Sequence, residues 1–202
     1  MMRAYQPEML LCEPRGPEAL IAEVAKSTSD IPARAAAALA QVRDDIIVGE
    51  GPTVTGRVHF SRTIDTDDAA LCARILTAAG RTGLAVSRAE ADALFAIDAA
   101  GSERCDDGRF DDLLAKAVMH HLMSAAGVAV PSRASALAFE NPLVVWAAAI
   151  DLDHEQRSWL EYHLDHTRPS SAAARAIHAV LHIGHDEPGA EPPLGVLFDI
   201  AA

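Results

Sequence analysis

Two stretches of the sequence, "GLAVSRAEADALF" (83–95) and "GVAVPSRASALAF" (127–139), repeat one pattern 44 positions apart. Each begins with a glycine and small or apolar residues, and each continues through Ser-Arg-Ala into a run typical of a helix. In the first copy, Ser87 and Glu90 have the spacing of a capping box, in which each side chain satisfies a free amide at a helix start. The second copy has Ser135 in place of the glutamate. The repeat therefore predicts two turns that each lead into a helix.

The rest of the sequence also favours helices. Half of the residues are apolar, mainly Ala, Leu, Ile and Val, and only 4% are aromatic. Such a composition suits helices packed through small side chains. Segments with helical spacing of apolar residues, separated by Pro, Gly, Asp and Ser, cover residues 17–26, 32–47, 65–80, 87–99, 109–126, 154–166 and 172–183. We predict an all-α fold, a compact multi-helix bundle.

Two shorter segments are predicted to take other conformations. "RVHFSRTI" (57–64) alternates weakly, which indicates a short extended piece, and "GSERCDDG" (101–108) is predicted to be a polar turn. We assign residues 1–56 to N-terminal helices packed on a main body of residues 57–202. The proline-rich, apolar tail of this body (185–202) is expected to dock on the body itself, on a second copy or on another protein.

Three residues near the repeat also receive specific predictions. Gly80 lies where a left-handed residue would end the preceding helix. His121 lies on the apolar stripe of the predicted helix 109–126, so we expect a hydrogen-bonded core histidine. His120, its neighbour, is expected to face outward.

The first copy of the repeat resembles half of an EF-hand, the helix–loop–helix that binds calcium. With Glu90 as the twelfth loop position, the apolar eighth position is Val86, but ligand positions one, three and five fall on Ala79, Arg81 and Gly83. An arginine supplies no oxygen ligand, and the second copy lacks even the glutamate. The sequence thus predicts two EF-hand-like helix–loop–helix units that lack calcium ligands.

A doubled loop of this kind in an acidic helical chain is similar to the TerB-like (tellurite-resistance B) family. The similarity is carried by "AAGRTGLAVSRAEADALF" (78–95) and "FDDLLAKAVMHHLM" (110–123), and it extends over about residues 65–138. It implies a role in tellurite or general stress resistance and an acidic surface that binds divalent metal. Only Glu90 matches the acidic positions of the family's loop. We therefore expect a stress-associated interaction module without catalysis.

Histidines near the C-terminus suggest an alternative function. Five of the nine histidines lie between residues 163 and 185, and two of them are four residues apart on one predicted helix, a spacing that zinc ligands use. The candidate ligands for zinc or another divalent metal are His163, His166, His178, His182 and His185, with Glu90 as a sixth. The alternative to an interaction module is accordingly a small transition-metal protein or a metallohydrolase.

Charge and hydropathy argue against two classes of partner. The chain carries 29 acidic and 17 basic residues, for a formal net charge of −12. A surface with this charge repels phosphate backbones and anionic lipid headgroups, so no nucleic acid is expected as a partner. No apolar run approaches the ~20 residues that a spanning helix needs. The expected partners are therefore another protein or a second copy of the chain.

Cysteine usage and the missing catalytic motifs give expectations about localisation and catalysis. Three scattered cysteines without CxxC spacing suit a reducing cytoplasm, and the N-terminus has no apolar stretch that would suit a signal peptide. The sequence also lacks a GxSxG motif, a phosphate-binding glycine loop and an HExxH motif. We predict a cytoplasmic protein with no catalytic residue and no cofactor.

Overall fold

The computed structural model describes residues 16–26, 30–48, 63–80, 83–101, 103–138 and 152–166, with Ala174, Ile177, His178 and Leu181 from the C-terminal part. In these residues the chain is mostly helical, as the sequence predicts. The helices are α1 (Pro17–Val24), α2 (Ile31–Val48), α3 (Thr66–Gly80), α4 (Arg88–Ala100), α5 (Arg109–Ala125), α6 (Arg133–Ala136) and α7 (His154–Leu164). The strands are β1 (Thr63–Asp65) and β2 (Glu103–Cys105). None of the described helices combines the length and the apolar character needed to cross a membrane.

The helix starts read from the sequence are present as hydrogen-bonded caps. Before α3, the Asp65 carboxylate accepts the amides of Asp67 and Asp68 at 2.8 and 2.9 Å. Before α4, Ser87 and Glu90 form the predicted capping box. Asp153 and Gln156 form another at the start of α7. These local signals fix where three of the helices begin because each satisfies amides that the helix itself leaves free.

A two-stranded parallel ribbon brings the starts of α3 and α5 together. Thr63 pairs with Glu103 and Asp65 with Cys105. The extended piece predicted for residues 57–64 is thus a strand at its described end, whereas the polar turn predicted for residues 101–108 is wrong for Glu103–Cys105. Ile64 is fully buried in β1, so the ribbon is tied to the core although β2 is polar.

The core lies between α2, α3, α4 and α5. Helix α2 packs along α4 and also contacts α1 and α3, while α5 packs against both α3 and α4. Helix α5 is the most enclosed element, since every residue from 113 to 120 is buried. The short α6 packs on α3 and α5. This arrangement places α5 directly beside the two copies of the repeat.

Several predictions near the repeat need correction or lie outside the described residues. The second copy starts a helix as predicted, but α6 ends after a single turn. Gly80 is the last residue of α3 and does not have a positive φ; the left-handed residue is Gly83, at φ 76°. The boundary at residue 56, the tail 185–202 and residues 1–15 lie outside the described residues.

Candidate functional site

The two copies of the repeat share a backbone conformation as well as a sequence. Gly83 opens the first loop (83–87) and Gly127 opens the second loop (127–132), with φ values of 76° and 73°. Ser87 caps α4 by accepting an amide at 3.3 Å. Ser132 caps α6 in the same way, also at 3.3 Å. The serine therefore starts a helix in both copies, with the arginine at the first helical position.

The arginine of the second copy, Arg133, lies inside the first loop. Its side chain is 1% exposed, and that of Glu90, its partner on α4, is 0% exposed. Arg133 Nη1 is 2.6 Å from Glu90 Oε1, and Nη2 is 2.9 Å from Oε2. The two planar groups thus form a bidentate ion pair, the strongest arrangement open to these side chains.

Backbone carbonyls satisfy the other donors of the guanidinium. Nε of Arg133 donates to the carbonyl of Leu84 at 2.8 Å, and Nη1 donates to that of Leu76 at 3.1 Å. Nη2 donates to the carbonyl of Ala85. With the two bonds to Glu90, all five N–H donors of the arginine have an acceptor. Satisfying every donor is what makes a fully buried arginine tolerable.

Gly80 leaves the space through which Arg133 enters. A Cβ built on Gly80 would lie 2.5 to 2.7 Å from Cβ, Cγ and Cδ of Arg133. The glycine at the end of α3 is therefore required by side-chain packing and not by a left-handed backbone.

Arg133 binds two groups that the predicted loop numbering would assign to an ion. In the loop numbering that makes Glu90 the twelfth position, Ala85 is the seventh, whose backbone carbonyl is a calcium ligand. Both groups bind Arg133 instead. Glu90 Oε2 additionally accepts the Ser87 amide at 2.7 Å and the Ser87 hydroxyl at 2.8 Å. Glu90 and the Ala85 carbonyl are thus already engaged by groups of the chain itself.

Two adjacent histidines of α5 hold the backbone of Val86 in the first loop. The Val86 amide donates to Nδ1 of His120 at 3.2 Å. His121 Nδ1 donates to the Val86 carbonyl at 3.0 Å. His120 also reaches the second loop, since its Nε2 is 2.9 Å from the carbonyl of Pro131. We call the chain of contacts from Val86 through His120 to Pro131 the histidine bridge.

The outward orientation expected for His120 is wrong. His120 is 1% exposed, because α5 lies between α3, α4 and the two loops and so buries more than one stripe. His121 is hydrogen-bonded as expected but only half-buried, so the core histidine of the pair is His120 and not His121. Burial lowers the pKa of both imidazoles below the ordinary value of 6.5.

A second polar cluster joins α7 to α4. Asp92 Oδ1 accepts hydrogen bonds from Trp159 Nε1 at 2.7 Å and from His163 Nε2 at 2.9 Å. The His163 ring stacks flat on Phe95 with 3.9 Å between centroids, and the Trp159 ring meets the edge of both Phe95 and His121. One carboxylate on α4 is therefore the shared acceptor of two α7 side chains that also pack on aromatic rings of the body.

The arginine of the first copy completes this cluster. Arg88 Nη1 is 2.6 Å from Glu155 on α7, and its guanidinium carbon lies 5.6 Å from the centre of the Trp159 ring. The side chains of Arg88 and Glu155 are 48% and 80% exposed. The same repeat position thus makes a surface contact in one copy and a buried one in the other.

The predicted metal ligands are not brought together in the described part of the chain. Glu90 binds Arg133, His163 binds Asp92, and His166 Nδ1 donates to the Tyr162 carbonyl at 2.6 Å. His178 is exposed, while His182 and His185 lie outside the described residues. Among the described residues no group of three or more His, Cys, Asp or Glu side chains is placed to hold a metal ion.

Sequence reasoning missed the two residues that organise this region, Arg133 and Asp92. The only signal for Arg133 was its place in the repeat, which does not reveal that one loop receives the arginine of the other. Asp92 carries no motif. Comparison of the chain with protein-family models, curated proteins and solved structures gives no match, so the likeness to the TerB-like family rests only on residues 78–95 and 110–123.

Proposed function

We propose that this chain is a TerB-like helical interaction module, associated with stress and without catalysis, whose first loop is closed by its own arginine. The supporting observation is the set of five hydrogen bonds from Arg133 to Glu90 and to the carbonyls around it. Two of these acceptors, Glu90 and the Ala85 carbonyl, are groups that an ion in this loop would need, so we expect the loop to hold its shape without one. Such a loop serves as a fixed part of a scaffold.

The partner class follows from charge. A protein with a formal net charge of −12 attracts basic surfaces and repels nucleic acids and anionic membranes. We propose a protein partner with a basic face, or a second copy of the chain bound through the apolar tail. Contacts of the first kind weaken as salt screens the charges, whereas apolar contacts do not.

Partner capture at two salt concentrations tests the proposal. The full chain and a chain without residues 192–202 are each immobilised and exposed to lysate of the source organism. The proposal expects a protein retained at low salt and released at high salt, or self-association in sedimentation that the truncation abolishes. A chain that stays monomeric and retains no protein under either condition would contradict it.

Metal analysis separates this function from the alternative. A transition-metal protein should carry stoichiometric metal when freshly purified, and zinc should release heat on titration that is lost in a His178→Ala/His182→Ala variant. The interaction module should show neither. Calcium titration of the intact chain should likewise give no heat, because Arg133 occupies the acceptors of the first loop.

A further inference from the structure

The histidine bridge has a fixed protonation state. The Pro131 carbonyl can only accept a hydrogen bond, so Nε2 of His120 carries a proton. The Val86 amide can only donate, so Nδ1 must be bare. His120 is consequently held as the neutral Nε2–H tautomer, with both ring nitrogens committed to backbone groups of different loops.

Protonation is incompatible with this arrangement. A proton on Nδ1 would point at the Val86 amide, and the bond would be replaced by two opposed donors. The charged groups that face His120 are Glu90 on α4 and Arg133 on α6, with His121 beside it on α5. Glu90 is already paired with Arg133, so it does not balance a second buried cation.

His121 provides an internal contrast. Its Nδ1 is already the donor to the Val86 carbonyl, so protonation at its other nitrogen leaves that bond in place. Of the two histidines that hold Val86, only His120 loses a hydrogen bond when it takes up a proton.

We propose that the histidine bridge is an acid-sensitive contact that releases the first loop when His120 is protonated. The loop also supplies the Leu84 and Ala85 carbonyls that hold Arg133. Loss of the Val86 bond therefore loosens the joint between the two copies of the repeat before it disturbs α1 and α2. This local opening is a property of the fold and does not depend on the identity of a partner.

Burial sets the direction of the pH dependence. It lowers the pKa of His120 in the folded chain below the ordinary 6.5. A lowered pKa means that the contribution of the bridge is complete above 6.5 and is lost as the pH falls through the folded value. Between 6.5 and the folded value, one coupled proton makes opening about tenfold more frequent for each pH unit.

Nitrogen NMR of the full chain tests the proposal directly. Long-range correlation spectra should show the Nε2–H tautomer of His120 at pH 7.5. As the pH falls from 6.5 towards the folded pKa of His120, the exchange protection of the Val86 amide should drop about tenfold per unit, while amides of α2 stay protected. If Val86 and α2 lose protection together, or if His120 takes up its proton without loss at Val86, the proposal is wrong.

A variant gives a second reading. His120→Asn keeps an acceptor for the Val86 amide at every pH, so the protection of Val86 should no longer depend on acid between pH 7.5 and 5. The control is His154→Asn, which removes an exposed histidine and should leave the wild-type acid response intact. An unchanged acid response in His120→Asn would overturn the proposal, and the wild-type spectra decide the question if that variant does not fold.

Discussion

Arg133 and Arg88 occupy the same position in the two copies of the repeat but have very different surroundings. We expect Arg133→Met to lower the free energy of unfolding by about 3–5 kcal/mol, because it leaves Glu90 buried without its counter-charge. The matched substitution Arg88→Met removes an exposed pair and should cost only about 0–1 kcal/mol. Urea denaturation measures both. Equal losses of unfolding free energy in the two variants would show that the buried ion pair of Arg133 contributes no more than the exposed pair of Arg88.

Part of the stability lost in Arg133→Met should be regained when Glu90 is replaced as well. Replacing Glu90 as well, in Glu90→Gln/Arg133→Met, removes the uncompensated charge, and the double variant should be more stable than Arg133→Met alone. This recovery separates a charge effect from simple loss of packing.

The stability cost of replacing Gly80 by alanine should depend on the side chain at position 133, whereas the cost of the same change at Gly83 should not. Gly80→Ala places a methyl group against the stem of Arg133, and we expect a loss of about 1–3 kcal/mol from overpacking. In an Arg133→Gly background, which also removes the Cβ of residue 133, the same change should be neutral or stabilising, because alanine favours the helix. Gly83→Ala meets no atom within 4 Å but has φ at +76°, so its cost should be about 1–2 kcal/mol in both backgrounds. A double-mutant cycle by denaturation measures the difference.

At the level of single elements, the start of α3 carries a carboxylate, Asp68, whose charged form is disfavoured by burial. Burial raises the pKa of Asp68 from 3.8 to about 6. The folded chain therefore favours the protonated form, and stability present at pH 3.8 is lost as the pH rises through about 6. We expect Asp68→Asn to stabilise the chain by about 1 kcal/mol at pH 7.5, after allowance for solvent screening, and to change little near pH 4.

Asp67→Asn is the matched control for this pH dependence. Asp67 lies in the same first turn but is exposed, so its replacement should lose only a favourable interaction with the helix dipole, about 0.3–1 kcal/mol. Thermal unfolding across pH 4–8 follows both variants. A destabilised Asp68→Asn at pH 7.5 would contradict the assignment.

Helix α7 is expected to detach locally when Asp92 is removed. Asp92→Ala leaves Trp159 and His163 without their shared acceptor, a loss of about 1–3 kcal/mol. Hydrogen exchange should show faster exchange in α7 and unchanged protection in α3 and α5. Glu161→Ala, an exposed change on the same helix, should alter neither. Uniform loss of protection across all helices would show that α7 does not open separately.

The helices were predictable from the sequence because their starts are local. Capping serines and aspartates act within four residues, so Ser87 and Asp153 could be read without knowledge of the fold. The strand β2 could not be read in this way, since Glu103–Cys105 is polar and becomes a strand only by pairing with β1 forty residues earlier. The roles of Arg133 and His120 could not be predicted for the same reason, because their hydrogen-bond partners come from distant elements.

At the scale of the whole molecule, the two described cysteines differ in their exposure to solvent. Cys72 is fully buried in α3, and burial raises the pKa of its thiol, while Cys105 is exposed at the end of β2. Because the thiolate is the reactive form, Cys72 should react only when the core opens. Its reaction rate therefore measures the opening of the core in native buffer.

We expect two separate phases when a Cys12→Ser chain reacts with an aromatic disulfide reagent. Cys105 should react at the rate of an exposed thiol, and Cys72 should react at least a hundredfold more slowly, since an opening that costs about 3 kcal/mol or more leaves under one molecule in a hundred accessible. Arg133→Met should accelerate the slow phase and leave the fast phase unchanged, because it destabilises the core on which α3 packs and does not contact β2. A Cys105→Ser change should remove only the fast phase, which assigns that phase to Cys105 and the slow phase to Cys72. Reaction of Cys72 as fast as that of Cys105 in native buffer would mean that α3 is not held in the core by the contacts described above.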